Sequence, residues 1–109
     1  IEDICERFKL RICLDVSHSK LTCNVFNYEF YSYFLQKVGP FVAHLHIGDA
    51  VGSNGEGLQV GSGEIDFRIL GQKLQEICPR ASFIPEIWQG HKDDGEGFWI
   101  ALERLERLF

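Results

Sequence analysis

Three short apolar runs, each closing on titratable side chains, constrain this chain more than any other feature: RICLDV at 11–16, FVAHLHI at 41–47 and SFIPEIW at 82–88. Runs of this length, rich in β-branched and aromatic residues, read as strands rather than helices. The stretches between them carry apolar residues at helical spacing, and the connections are read as loops and helices without hairpins. Alternating strand and helix in this way implies parallel strands with helical crossovers, because parallel neighbours cannot be joined by a tight turn. The fold class expected is therefore α/β, with three consecutive βα units in one domain over residues 1–109.

Taken in order, Ile1, Ile4, Cys5 and Phe8 have helical spacing, so residues 1–8 are read as a helix. After the first strand, residues 19–23 are read as a connection, and Asn24 is expected to cap a helix reaching Val38, with Phe26, Phe30, Phe34 and Val38 as its apolar stripe. Gly39-Pro40 stops it. Beyond Asp49 the central run breaks into a glycine-rich loop, Ala50 to Gly63, of the kind that permits close backbone approach to a ligand. Asp66 is expected to cap a helix carrying Phe67, Leu70, Leu74 and Ile77, ended by Pro79. Pro85 marks the end of the third strand or a bulge in it. Gln89 to Gly97 is read as a polar loop, and a last helix buries Phe98, Ala101, Leu102, Leu105 and Phe109.

With 109 residues, 45% of them apolar and 25% charged, one modest core is the ceiling. A net charge of −5 argues against a partner held by phosphate contacts, so no nucleic acid is expected. No signal peptide and no run of bilayer length is visible, so no membrane partner is expected either. The four cysteines form no CxxC pair and sit in apolar surroundings, which reads as reduced, buried and cytoplasmic. The chain lacks methionine altogether and opens on what looks like the tail of a helix, so it is expected to be a piece of a longer protein. Three strands leave sheet edges open, and self-association or pairing with a missing N-terminal half is the expected consequence.

The chemistry collects at the strand ends: Asp15 with His18, His46 with Asp49, and Glu86 with the downstream His91. In a parallel sheet these ends share one edge, so residues distant in sequence converge there. Carboxylates and imidazole without sulfur suit a hard or borderline divalent metal such as Mn, Zn, Co, Mg or Fe. Asp15 and Glu86 are costly to bury in apolar strands without a partner, which favours a functional role over a structural one. His44 and His46 alternate and so face the same side. Asp49 either orients His46 or is a loop residue, and His91 lies in a solvated loop.

The motifs LDVSHS, HLHIGD, GSGEIDF and IPEIW, in that order and spacing, resemble the xylose-isomerase-like TIM barrels, which include sugar isomerases and epimerases and the type IV apurinic endonucleases. The resemblance covers nearly all of this chain and about the last three-eighths of an eight-stranded barrel. It implies that Asp15, His46 and Glu86 are metal ligands, that His18 contacts substrate or adds a ligand, and that His44 is a satisfied interior histidine. A fourth ligand, a Glu ending the strand before this chain begins, has no counterpart. The activity implied is isomerisation or epimerisation of a sugar or sugar phosphate through an enediolate, with Glu86 as one of two proton-transferring carboxylates, so the piece alone is expected to be inactive. IPEIWQGHKDDGEGFWIALERLE is also similar to barrel appendages of sialic-acid-synthase-like enzymes. The endonuclease branch carries a further Asp and His after its seventh strand, where this chain offers only Glu56. A phosphodiesterase using several metals and a non-catalytic assembly module are the alternatives.

Overall fold

The computed structural model describes residues 1–109. Three strands, β1 (Ile12–Asp15), β2 (Val42–Ile47) and β5 (Ser82–Pro85), form a parallel sheet in the order β1-β2-β5, the order of the three apolar runs in the sequence. The helices that precede, connect and follow them are α1 (Glu2–Phe8), α2 (Val16–Phe26), α3 (Leu35–Val38), α4 (Phe67–Ile77) and α5 (Lys92–Leu108). A short antiparallel hairpin, β3 (Asp49–Val51) with β4 (Gly55–Leu58), stands beyond the end of β2.

The sheet has two unlike faces. In-register neighbours of a parallel pair point the same way, and the pairs Cys13↔His44, Asp15↔His46 and His44↔Ser82 put those side chains on one side. Leu14, Leu45 and Ile47 point to the other, where they are buried in a core with Leu35, Leu70, Leu74, Ala101 and Leu105 from the helices. The register slips between Ile12 and Cys13, so that Ala43 is skipped in the pairing and the alternation of β2 is interrupted at its start.

The first crossover departs from the expected layout. Asp15, the last residue of β1, accepts a hydrogen bond from the His18 amide at 2.8 Å and starts α2 at once, so residues 19–23 are helix and Asn24 is not a cap. Asn24 instead sits inside α2, where its side-chain amide donates to the Gly52 carbonyl at 2.7 Å. The buried face of α2 includes Ser17 and Ser19, small polar residues that give no apolar period to read. The helix ends on Asn27 in the left-handed conformation, with φ 58°. The chain then re-enters a π-helical turn, Phe30–Phe34, capped by Glu29, before α3. A π turn adds one residue per turn, so Phe30 is followed on the buried side by Leu35 and Val38, while Phe34 is only partly buried and Phe26 faces solvent.

The later elements follow the sequence more closely. Asp66 caps α4 by accepting from the amides of Arg68 at 3.0 Å and Ile69 at 3.1 Å. The final helix buries Ala101 and Leu105, but its start is broken by left-handed backbone at Asp93, Asp94 and Gly95, which accords with a polar loop reaching Gly97. Phe98 is more than a third exposed, and Phe109 packs edge-on against Phe83 with ring centres 5.9 Å apart. The glycine-rich segment is not a plain loop, since the turn residues Gly52, Ser53 and Asn54 close the β3–β4 hairpin. All four cysteines are free, and Cys13, expected to be buried, is exposed on the open face of the sheet. No helix is long and apolar enough to cross a membrane.

Candidate functional site

The C-terminal ends of the three parallel strands bring Asp15, His46 and Glu86 together: one donor atom from each lies within 4.8 Å of the other two. Asp15 ends β1, and His46, the last residue but one of β2, lies opposite it in direct register. Glu86 follows β5, and its amide donates to the Ile47 carbonyl at 2.8 Å, which extends the pairing by one residue and fixes where its side chain starts. Gly48 makes this approach possible: a β-carbon there would lie 2.6 Å from the Glu86 carbonyl oxygen. His46 Nδ1 stands 2.6 Å from Glu86 Oε2.

His18, in the first turn of α2, is the fourth member. Its Nδ1 is 3.0 Å from Asp15 Oδ2, and its Nε2 bonds to Glu56 of β4. The hydrogen bond to Asp15 is the main reason the imidazole is pushed above its ordinary pKa; partial burial opposes this, and the charges of Asp15 and Glu56 add to it. Asp15, His18, Glu56 and Glu86 line a cleft of about 420 Å³, together with Trp88, Gln89, His91 and Lys92. Asp15 thus does two things at once, ending the strand with a helix cap and presenting its second oxygen to the cleft.

Asp49 has a different role from the one that would orient His46. Its side chain is fully buried, and its two oxygens accept from the amides of Ala50 (2.8 Å), Gly61 (3.0 Å), Gly63 (2.9 Å) and Ile65 (3.1 Å). It is the knot that closes the glycine-rich segment back onto the end of β2. Gly63 belongs to this knot, since a β-carbon there would lie 2.5 Å from Asp49 Oδ1. Ser17 completes the anchoring: its hydroxyl donates to the Asp49 carbonyl at 3.0 Å and accepts from the Gly57 amide at 2.8 Å. Gly57 in turn accepts from the Trp88 amide at 2.8 Å, which ties the hairpin to the loop after β5.

Sequence reasoning did not assign Ser17, Trp88, Gln89 or Lys92 to the site, and it gave Glu56 no role in holding His18. Ser17 lies two residues after Asp15, and Trp88 two after Glu86, so position next to a strand end was the available signal. Glu56 could be found only by recognising the turn sequence at 52–54 and the hairpin it brings back over the cleft. His44 is half-buried and engaged by Ser82 Oγ, 2.8 Å from its Nδ1.

No family model matches the chain, and no solved structure matches it. The chain is similar to an uncharacterized protein of Methanocaldococcus jannaschii, with 35% identity over 69 residues, which are 63% of this chain and 25% of that protein. The chain therefore spans about a quarter of the length of the curated relative it matches.

Proposed function

We infer that this chain contributes a divalent-metal site for proton transfer on a sugar or sugar phosphate, as an isomerase or epimerase, and that its three βα units are the C-terminal portion of a xylose-isomerase-like (β/α)8 barrel. The observation that carries the reading is the gathering of Asp15, His46 and Glu86 at the C-terminal ends of three consecutive parallel strands. That edge is where barrel enzymes assemble their sites from several strands. The open face of the sheet supports the barrel portion, since parallel sheets are ordinarily covered on both sides and this one is covered on one.

The residues fit a hard or borderline cation. Two carboxylates and an imidazole supply three donors without sulfur, which leaves positions free for substrate oxygens, as Mn²⁺, Co²⁺, Zn²⁺ or Mg²⁺ would require. Such an ion, when bound, polarises a carbonyl and acidifies the neighbouring carbon-bound proton. Asp15, His46 and Glu86 would hold it. With one carboxylate oxygen given to the ion, Glu86 would have the other to take up or return a proton. His18, held between Asp15 and Glu56, positions a substrate oxygen by releasing the more exposed of these two partners. Trp88 offers an exposed ring as the apolar wall of the cleft, and Lys92 a cation for an anionic substituent.

Thermal unfolding with and without Mn²⁺ tests this reading. At about a hundredfold excess over the dissociation constant, stabilisation of about 2.7 kcal/mol is expected. Asp15→Asn and Glu86→Gln should abolish it, and Asn is a suitable choice at position 15 because it caps a helix as well as Asp does. Bound Mn²⁺ at one ion per chain is expected; several tightly bound ions among the strand-end carboxylates would favour the phosphodiesterase alternative. Absence of any metal-dependent shift, or a shift indifferent to both substitutions, would sink it.

A further inference from the structure

The open face of the sheet holds a second group of donors, one residue pair further back from the strand ends. Cys13, His44 and His46 each present a ligand atom within 4.8 Å of the other two. Their placement follows from the register, Cys13 lying opposite His44 and His46 following on the same side of β2. The two imidazoles meet edge to face with centres 5.4 Å apart. Side-chain rotation closes such a triangle to the roughly 2.0–2.3 Å bonds that nitrogen and thiolate sulfur make to zinc.

Three further observations distinguish this group from chance proximity. Cys13 is the exposed cysteine, whereas Cys5, Cys23 and Cys78 are buried among apolar side chains and behave as core residues. His44 Nδ1 lies 2.8 Å from Ser82 Oγ, which leaves Nε2 as the free ring nitrogen; in the tautomer that donates from Nδ1 to the serine oxygen, Nε2 offers its lone pair to a cation. No hydrogen bond or ion pair occupies the Cys13 sulfur or His44 Nε2.

We propose that Cys13, His44 and His46 form a second, softer cation site on the sheet's open face, one that takes Zn²⁺ or Co²⁺ through a thiolate and two imidazoles. Binding forms a metal–sulfur and two metal–nitrogen bonds and releases the Cys13 thiol proton to solvent. The sulfur sets its preference: Mg²⁺ and Mn²⁺ favour oxygen donors, while thiolate favours zinc and its analogues. A neutral imidazole has one lone pair, the other ring nitrogen carrying the proton. His46 therefore serves either this site or the carboxylate site at the strand ends, and zinc seated on Cys13 withdraws a ligand from the place where Mn²⁺ would sit. The site itself stands on its own geometry and does not require the isomerase reading.

Titration of the full 109-residue chain with Co²⁺ tests it, because a thiolate bound to cobalt gives a charge-transfer absorption in the near ultraviolet that carboxylate and imidazole ligands do not. One such band per chain is expected. It should vanish in Cys13→Ser, weaken in His44→Gln, and persist in Asp15→Asn and Glu86→Gln, the substitutions that abolish the carboxylate site. Zinc affinity, measured by competition with a chromophoric chelator, should fall at least about tenfold in Cys13→Ser. Circular dichroism should be unchanged in Cys13→Ser, since that side chain is exposed and contributes nothing to the core. Absence of the band in the parent chain, its survival in Cys13→Ser, or unchanged zinc affinity in that variant would each overturn the proposal. A missing Mn²⁺ stabilisation with the cobalt band intact would instead count against the isomerase reading alone.

Discussion

At the scale of single residues, the buried carboxylate of Asp49 shows why a strand-end acid need not be catalytic. Four amides converge on its two oxygens, and the core holds no other carboxylate. Asp49→Ala would leave buried N–H groups without acceptors, at roughly 1–3 kcal/mol for each group that water cannot reach. We expect a loss of at least about 3 kcal/mol in urea unfolding, together with faster proteolysis within residues 50–63. A loss under 1 kcal/mol would mean that the loop closes by other means. Asp15, His46 and Glu86 were legible as neighbours because parallel register brings strand ends together, although alternation left His44 and His46 on one face and only the family resemblance chose His46. Asp49 was not separable from them by the same logic: its partners, Gly61, Gly63 and Ile65, are joined to it only by the path of a loop. His44 was legible as a neighbour of His46, but its relation to Cys13 depends on the skipped residue at Ala43, which no periodicity announces.

At the scale of elements, helices with an apolar period were readable and those built on small polar residues were not. Asp66 and the spacing of Phe67, Leu70 and Leu74 marked α4 correctly, whereas the buried Ser17 and Ser19 hid α2 and the π turn displaced the aromatic stripe by one residue. That π turn depends on Glu29. Partial burial by itself pushes the Glu29 carboxyl upward, but the Ser32 hydroxyl and the amides of Ser32, Tyr33 and Tyr31 outweigh it and hold the group below the usual glutamate range. A carboxyl depressed by folding stabilises fully above its unfolded pKa, about 4.3, and the contribution drains as pH falls through the lower folded value. The stability difference between the parent chain and Glu29→Gln should therefore be constant near neutrality and shrink in acid. Because the side chain is solvent-exposed, its full size should be under about 1 kcal/mol. An equal difference at pH 7 and pH 3 would show that the charge contributes nothing to the cap.

At the scale of the whole molecule, the sheet is packed against helices on one face and open on the other. The radius of gyration, 13.6 Å, is close to the roughly 13 Å expected for a compact chain of this length. Yet β1 and β5 each have one side without a strand partner, and the sheet's open face leaves Ile84 48% exposed. Trp99 of α5 and Ile1, Ile4 and Phe8 around α1 add further apolar surface. Unpaired parallel edges and uncovered apolar side chains both favour pairing with another chain. The opposing force is the net charge of −5, but exposed charges are screened beyond about 8 Å at physiological salt. Association should thus prevail, and it should strengthen as salt rises, the reverse of what contacts between opposite charges would give. Sedimentation velocity over a range of concentrations should show dimers or larger species. Ile84→Lys, which adds a charge to the open face without touching the helix-covered core, should shift them toward monomer with the circular dichroism spectrum retained. A chain that sediments as a monomer at every concentration and salt tested would mean that neither the edges nor the open face seeks a partner, and the barrel reading would lose the support that the open face gives it.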